Sequence, residues 1–330
     1  MKDLIHQSQT SAKAAKRYVS FYTVIEEPMS VKNLELLKNE ILQLPCSSEE
    51  GYFPDYIEKR LKKYKEHIVN FEGKIGNEVN LNFFKIVNLC DSINESIKLY
   101  YEGYPSRSFL ILTKGLDRVS ENLFKQKRNV SVSPRDNNFY RARNTVEVIF
   151  NKADMFHIPF DKIGLIKTQR YSIPGFPCLY LSDSIYTCWA ELDKPPIETL
   201  QFVRMELDYK FLDLSMSNYL LESMYEIAAV KNEMEENTFD EWMINFLYTW
   251  PLSLACYVKV KDKFADFKPE YIIPQMILEW VRLSEDLDGI KYYSAKGLTG
   301  KQKHASNNFN NYAIPVKRME KSGLCSKLKY

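Results

Sequence analysis

The sequence predicts an α+β fold in two parts: a helical bundle over residues 1–137, then a mixed β-sheet domain with helices over 138–330. Three observations predict it. In the first part the apolar residues fall in stripes at helical spacing. From Phe139 onward, short strand-like runs mix with helical stretches, without a long regular strand–helix rhythm. Neither a Gly-x-Gly-x-x-Gly turn nor a Walker A loop is present, so nothing supports a Rossmann fold or a P-loop.

The helical elements can be justified in order. Residues 31–44 carry Leu34, Leu37, Ile41 and Leu42 on one stripe, and Pro45 ends it. Pro54 opens a second helix, with Ile57, Leu61, Tyr64 and Ile68 along one face. A third is expected over 79–101, carrying Phe83, Phe84, Val87, Cys90, Ile93 and Ile97 and stopping at Gly103. Ser106 is the expected cap of a fourth, which holds Phe109, Leu112, Leu116, Val119 and Leu123. Four such stripes can bury a common core. Residues 129–138, with Ser131, Ser133, Pro134 and Asp136, read as a linker. Both flanks look able to form their own core, so 1–130 is expected to fold alone and 138–330 to carry the chemistry.

In the second part, 139–143 reads as an edge-like first strand and 178–182 as a short apolar strand. Pro174, Gly175 and Pro177 mark a turn before it. Ser184 is a good cap for a short helix over 185–192. Strands are expected over 200–207 and 211–215, and helices over 220–230 and 239–250, the latter closed by Pro251. A helix over 270–283 has Pro274 in its first turn. A turn and strand over 288–294 and a last strand over 312–316 follow. The basic, polar residues 317–330 are expected to fray.

Composition bounds the function. At 45% hydrophobic and 27% charged residues with net charge +2, the chain reads as an ordinary globular protein, and the charge balance gives no reason to expect nucleic acid. The six cysteines form no CxxC pair and there are only four histidines, so no metal site is expected and the thiols read as reduced. No secretory signal and no apolar run long enough for a membrane is seen, so a cytoplasmic protein is expected.

Residues 168–192 organise the chain. They place Arg170 before a turn, Tyr180 inside a strand and Glu191 near the end of the next helix. The Arg-Tyr-Ser at 170–172, the Gly-x-Pro-x-Leu-Tyr-Leu-Ser at 175–182 and Glu191 resemble the RES domain, a bacterial family named for arginine, glutamate and serine. The long form of that family is the better match, with Gln-Arg-Tyr-Ser-Ile-Pro-Gly in place of Gly-Gly-Arg-Trp-Asn. The resemblance covers roughly 138–320 and is specific over 168–191. It implies an NAD-degrading toxin with a fold similar to ADP-ribosyltransferases. The helical part resembles domains often joined to RES domains and sometimes classed with HEPN folds.

With NAD+ as the implied substrate, residue roles follow. Arg170 is the donor for the pyrophosphate, since a guanidinium binds it bidentately. Glu191 stabilises the positive charge that builds on the ribose as the nicotinamide leaves. Tyr180 offers a flat face to nicotinamide or a hydroxyl to ribose. Ser294, in a Gly-Ile-Lys-Tyr-Tyr-Ser stretch resembling the family's Gly-Ile-x-Tyr-Pro-Ser, orients nicotinamide or ribose. These four are the expected catalytic set. Arg141, His157, Tyr171 and Ser172 are the expected substrate-binding set. Without the resemblance, each has an ordinary structural reading: a surface ion pair, a core tyrosine, a solvated carboxylate, a turn serine, a satisfied histidine.

The expected function is therefore an NAD+ glycohydrolase of the RES toxin type in a toxin–antitoxin or defence setting, with NAD+ as substrate and no permanently bound cofactor. An antitoxin or sensor protein on the helical part is the expected partner, a membrane is not, and a homo-oligomer is left open. The alternatives are an ADP-ribosyltransferase acting on a macromolecule, an inactive binding module, and a HEPN-type RNase. The last rests on Arg60 and His67, which have the Arg-x6-His spacing on one helix. An ordinary solvated face with a surface histidine is the competing reading of that spacing.

Overall fold

The computed structural model describes residues 31–48, 51–125, 138–145, 149–215, 236–294 and 309–328. The helices are α1 Val31–Lys38, α2 Phe53–Ile68, α3 Gly73–Leu81, α4 Phe83–Tyr101, α5 Pro105–Arg118, α6 Ser120–Lys125, α7 Ile185–Glu191, α8 Glu236–Cys256 and α9 Ile272–Leu283. The strands are β1 Cys46–Ser47, β2 Asn138–Asn144, β3 Cys178–Ser182, β4 Leu200–Glu206, β5 Phe211–Asp213, β6 Val258–Lys259, β7 Gly289–Tyr293 and β8 Asn310–Pro315. The fold is α+β. Its main sheet runs β4-β2-β3-β8-β7-β5, antiparallel except for the β5–β7 pair, and a small parallel pair joins β1 to β6. The linker expected at 129–138, apart from Asn138, and the helix expected at 220–230 lie outside the described residues.

Several expectations are corrected. The helix expected at 31–44 is α1 followed by a separate 3-10 turn, Glu40–Leu42, whose cap Asn39 accepts from the Ile41 N–H at 3.0 Å. The helix expected at 79–101 is two helices. They part at Asn82, whose side chain donates to the Glu78 carboxylate at 2.9 Å, a local bond that competes with regular helix. The fourth helix starts at Pro105, not from a Ser106 cap, because proline suits a first turn that has no use for its N–H. Strand β2 lies between β3 and β4, so it is interior rather than edge-like. The C-terminal segment does not fray as far as it is described. Cys325 and Leu328 are buried in the second core cluster, with Phe139, Phe156, Leu181 and Ile314. Lys317 Nζ donates to carbonyls at and after the end of α9, among them Val281 at 2.6 Å and Leu287 at 2.7 Å.

Helix α8 was expected to stop before Pro251 but runs to Cys256. Proline has no N–H, so the carbonyl four residues earlier, Leu247, loses its helical donor. The Tyr64 hydroxyl of α2 donates to that carbonyl instead. The same pair of helices is joined by Trp250 stacked on Tyr64, ring centroids 4.3 Å apart and planes 20° apart. Trp250 Nε1 also donates to Leu42 O at 3.3 Å, Tyr248 donates to Glu78 O at 3.0 Å, and Asn122 donates to Asn245 at 2.8 Å.

One hydrophobic core therefore runs from Leu37 through Ile57, Ile93 and Leu116 to Trp250, Ile277 and Ala313. The division drawn at 137/138 passes through this core rather than between two cores. Each fully buried Leu or Ile contributes about 1.5–3 kcal/mol relative to exposure, so separating the parts would expose a large apolar face on each. On the opposite face of the sheet, Leu179, Leu181, Tyr312 and Ile314 form the second cluster.

Arg60 and His67 are both used by this scaffold. Arg60 Nη2 donates to Ile41 O at 2.9 Å, and His67 Nε2 lies 2.9 Å from Leu36 O. His67 is buried, not the surface histidine expected. The pair fastens α1 and the turn after it to α2, which removes the spacing as support for an RNase.

Candidate functional site

The site is built on one face of the sheet. Strand alternation points Tyr180 and Ser182 of β3 away from the second cluster, and the register sets Ser182 opposite Asn311 and Asn311 opposite Tyr292. Ser294 follows β7 at the next position on that face, and its N–H donates to Phe309 O at 2.8 Å. Ser184 caps α7 as expected, its Oγ accepting from the Thr187 N–H at 3.1 Å. That cap aims the short helix so that its last residue, Glu191, reaches the strand ends.

Glu191 and Ser294 come together across 103 residues. Ser294 Oγ donates to Glu191 Oε1 at 2.5 Å. Asn311 Nδ2 donates to the same oxygen at 2.6 Å, and Ser182 Oγ donates to Asn311 Oδ1 at 2.6 Å. Ser294, Asn311 and Ser182 are all buried. The carboxylate is thus held by a polar network whose members are themselves fixed in the sheet.

Tyr292 connects this group to Arg170. Burial first, then the Glu191 carboxylate, pushes the Tyr292 hydroxyl up, while Arg170 opposes the rise. The ring of Tyr292 lies 4.5 Å from that of Tyr171.

Arg170 is not left to bind a phosphate with its whole fork. Its Nη1 donates to Cys256 O at 2.7 Å and its Nη2 to Val258 O at 3.0 Å, and the guanidinium lies 5.3 Å from the Tyr271 ring centre. It ties the turn before β3 to the C-terminus of α8, where carbonyls carry partial negative charge. Arg170→Ala is therefore expected to lower stability by about 1.5–3 kcal/mol, the range for a charged hydrogen bond. Urea unfolding checks this, and an unchanged midpoint would contradict the anchoring role.

The turn itself follows the sequence. Gly175 at φ +70° takes the left-handed corner after Pro174, and Phe176 N–H donates to Ile173 O at 2.9 Å. The Tyr180 hydroxyl, expected for ribose, donates to Tyr171 O at 2.7 Å, and burial holds it protonated by pushing it well above its ordinary range. Ser172 Oγ accepts from Gln169 N–H at 3.0 Å and donates to Gln169 O at 2.9 Å. Tyr171 is buried, and its hydroxyl lies against the Cys256 thiol. Tyr171, Ser172 and the Tyr180 hydroxyl thus build the wall under the site.

Arg141 is different. Its Nη1 is buried without a hydrogen-bond partner among the described residues. Burial, then the neighbouring Arg143, pulls the guanidinium down to about 10, which still leaves it charged at neutral pH. Its charge is felt by Cys178, Tyr180, Cys188 and His157. The two thiols are pushed up to about 12 and about 11 by burial, so neither supplies a thiolate nucleophile.

His157, expected to bind substrate, is a structural residue. Its Nε2 accepts from the Cys325 N–H at 2.9 Å, so Nδ1 carries the proton and donates to Ile158 O at 2.8 Å. Burial, the largest influence, pushes the imidazole below its ordinary 6.5. The folded protein then prefers the neutral ring. That contribution to stability is complete above about pH 6.5 and is lost as pH falls through the lowered folded value. Melting temperature is expected to fall on acidification from about pH 7 to about pH 5, and less steeply in His157→Gln. Parallel curves for the two proteins would contradict it.

Sequence reasoning missed Asn311, Ser182 as a partner, and Tyr292. The only available signal was alternation: polar residues at 182 and 311 fall on the face opposite their leucine, isoleucine and tyrosine neighbours. Register could not be read from one sequence.

Among curated proteins the chain is similar to the one named "Putative toxin YopC" of Bacillus subtilis (strain 168). Identity is 38% over 255 residues, 74% of this chain and 56% of that protein. The chain spans a little over half the length of that relative. No family model and no solved structure matches the chain. Among the described residues, no helix is long and apolar enough to cross a membrane.

Proposed function

We propose that this chain is a toxin enzyme that hydrolyses NAD+ at the nicotinamide–ribose bond. One observation carries the reading: a carboxylate, Glu191, held by two buried donors at the end of a capped helix, with Arg141, whose charge reaches Tyr180 and whose Nη1 is buried without a hydrogen-bond partner among the described residues. The similarity to a protein named as a toxin and the RES-like motif support it.

The chemistry needs little else. As the C1′–N bond breaks, its electron pair leaves with nicotinamide and positive charge builds on the ribose. A carboxylate fixed beforehand stabilises that charge without reorganising. Water then adds at C1′ and loses a proton, giving ADP-ribose. A diphosphate would satisfy Arg141, whose Nη1 has no partner among the described residues. Arg170 helps through its positive charge while anchoring α8.

The test is expression in a bacterial host, with growth and the cellular NAD+ pool followed together. Growth arrest with a falling pool, relieved by Glu191→Gln at equal protein level, is the expected result. Arrest with an unchanged pool would sink the NAD reading while leaving the toxin reading in place.

A further inference from the structure

We propose that Asn311, locked by Ser182, is the positioning residue that fixes Glu191 for the reaction. This rests on Glu191 being the catalytic carboxylate of the proposed NAD+ hydrolysis. The geometry argues it in three steps. Asn311 is buried and stands in β8 opposite Ser182 on one side and Tyr292 on the other, so its backbone cannot shift without breaking the sheet. Its amide can face Glu191 in two ways. Only the one with Nδ2 forward, 2.6 Å from Glu191 Oε1, is favourable, because the other would set a carbonyl oxygen against a carboxylate. Ser182 Oγ, donating to Oδ1 at 2.6 Å, holds that orientation from behind.

Glu191 ends a helix of seven residues, and Ser294 fixes its Oε1 from one side. The second donor comes from a different strand and meets the same oxygen. Asn311 keeps its hold on the carboxylate when Ser294 turns to substrate.

The test pairs crystallography with kinetics on the full chain. In a crystal structure of Asn311→Ala, Glu191 is expected to leave its place or lose its bond to Ser294. In steady-state turnover of NAD+, kcat is expected to fall about 10–100-fold with KM little changed, as for residues that orient a reacting group. Asn311→Asp keeps the shape but sets a second carboxyl against Glu191. Two such groups share a proton rather than both ionising. Its rate relative to wild type is expected to be lowest at alkaline pH and to recover on acidification, as an O–H donor replaces the N–H. A packing defect would give a ratio that does not vary with pH. If Asn311→Ala does not fold, Ser182→Ala supplies the same readouts, with a smaller loss in the same direction. Wild-type protein that releases no nicotinamide would overturn the NAD reading, and the position of Glu191 in the Asn311→Ala crystal would still decide this inference. An unmoved Glu191 bonded to Ser294, or an unchanged kcat in an active enzyme, overturns it.

Discussion

Glu191→Gln is expected to lower nicotinamide release from NAD+ by on the order of 10²–10³, the usual loss for one well-placed electrostatic stabiliser. The substitution keeps the shape of the side chain and an oxygen that can accept from Ser294 and Asn311. What it removes is the negative charge. A developing cation on the ribose then meets a neutral amide, and the barrier rises while the fold stays. KM should change little, because the charge is needed only as the bond breaks. Turnover near wild type would show that the carboxylate does not meet the reacting carbon.

Trp250→Ala is expected to lower stability by about 3–5 kcal/mol, the range for removing a large buried aromatic side chain. The indole is fully buried, stacked on Tyr64 and hydrogen-bonded to Leu42 O. Its loss opens a cavity where α2 meets α8, next to the proline that already deprives Leu247 of a helical donor. Tyr64→Phe should cost about 1–3 kcal/mol by leaving that carbonyl without its replacement donor. Urea unfolding measures both. Because the core is continuous, a single cooperative transition is expected for the whole chain, and a fragment 138–330 is expected not to fold alone. Two separate transitions, or a Trp250→Ala effect under about 1 kcal/mol, would mean that the parts stand independently after all.

These expectations also mark where the sequence was legible. The capped helix after β3 could be read because Ser184 and the apolar spacing are local signals. The strands at 178–182 and 289–293 could be read for the same reason. The Pro174–Gly175 corner was equally local. The meeting of Glu191 with Ser294 was legible only through a resemblance, since 103 residues separate them and no periodicity reports a contact at that range. Asn311 was not legible at all, because its role comes from the β3–β8 register. Pro251 misled for an instructive reason. The rule that proline ends a helix assumes an unsatisfied carbonyl, and Tyr64, 183 residues away, satisfies it. His67, Arg60 and His157 looked chemical because of their residue types. The structure bonds Arg60 Nη2, His67 Nε2 and both His157 nitrogens to backbone groups, a use that sequence cannot distinguish from ligand binding.

The measurement that bears most directly on the account is incubation of the purified full chain with NAD+, followed by proton NMR of the mixture. Free nicotinamide and ADP-ribose in equal amounts, formed by wild type and not by Glu191→Gln, is the predicted result. NAD+ that persists unchanged beside folded wild-type protein would contradict the claim that this carboxylate cleaves the nicotinamide–ribose bond.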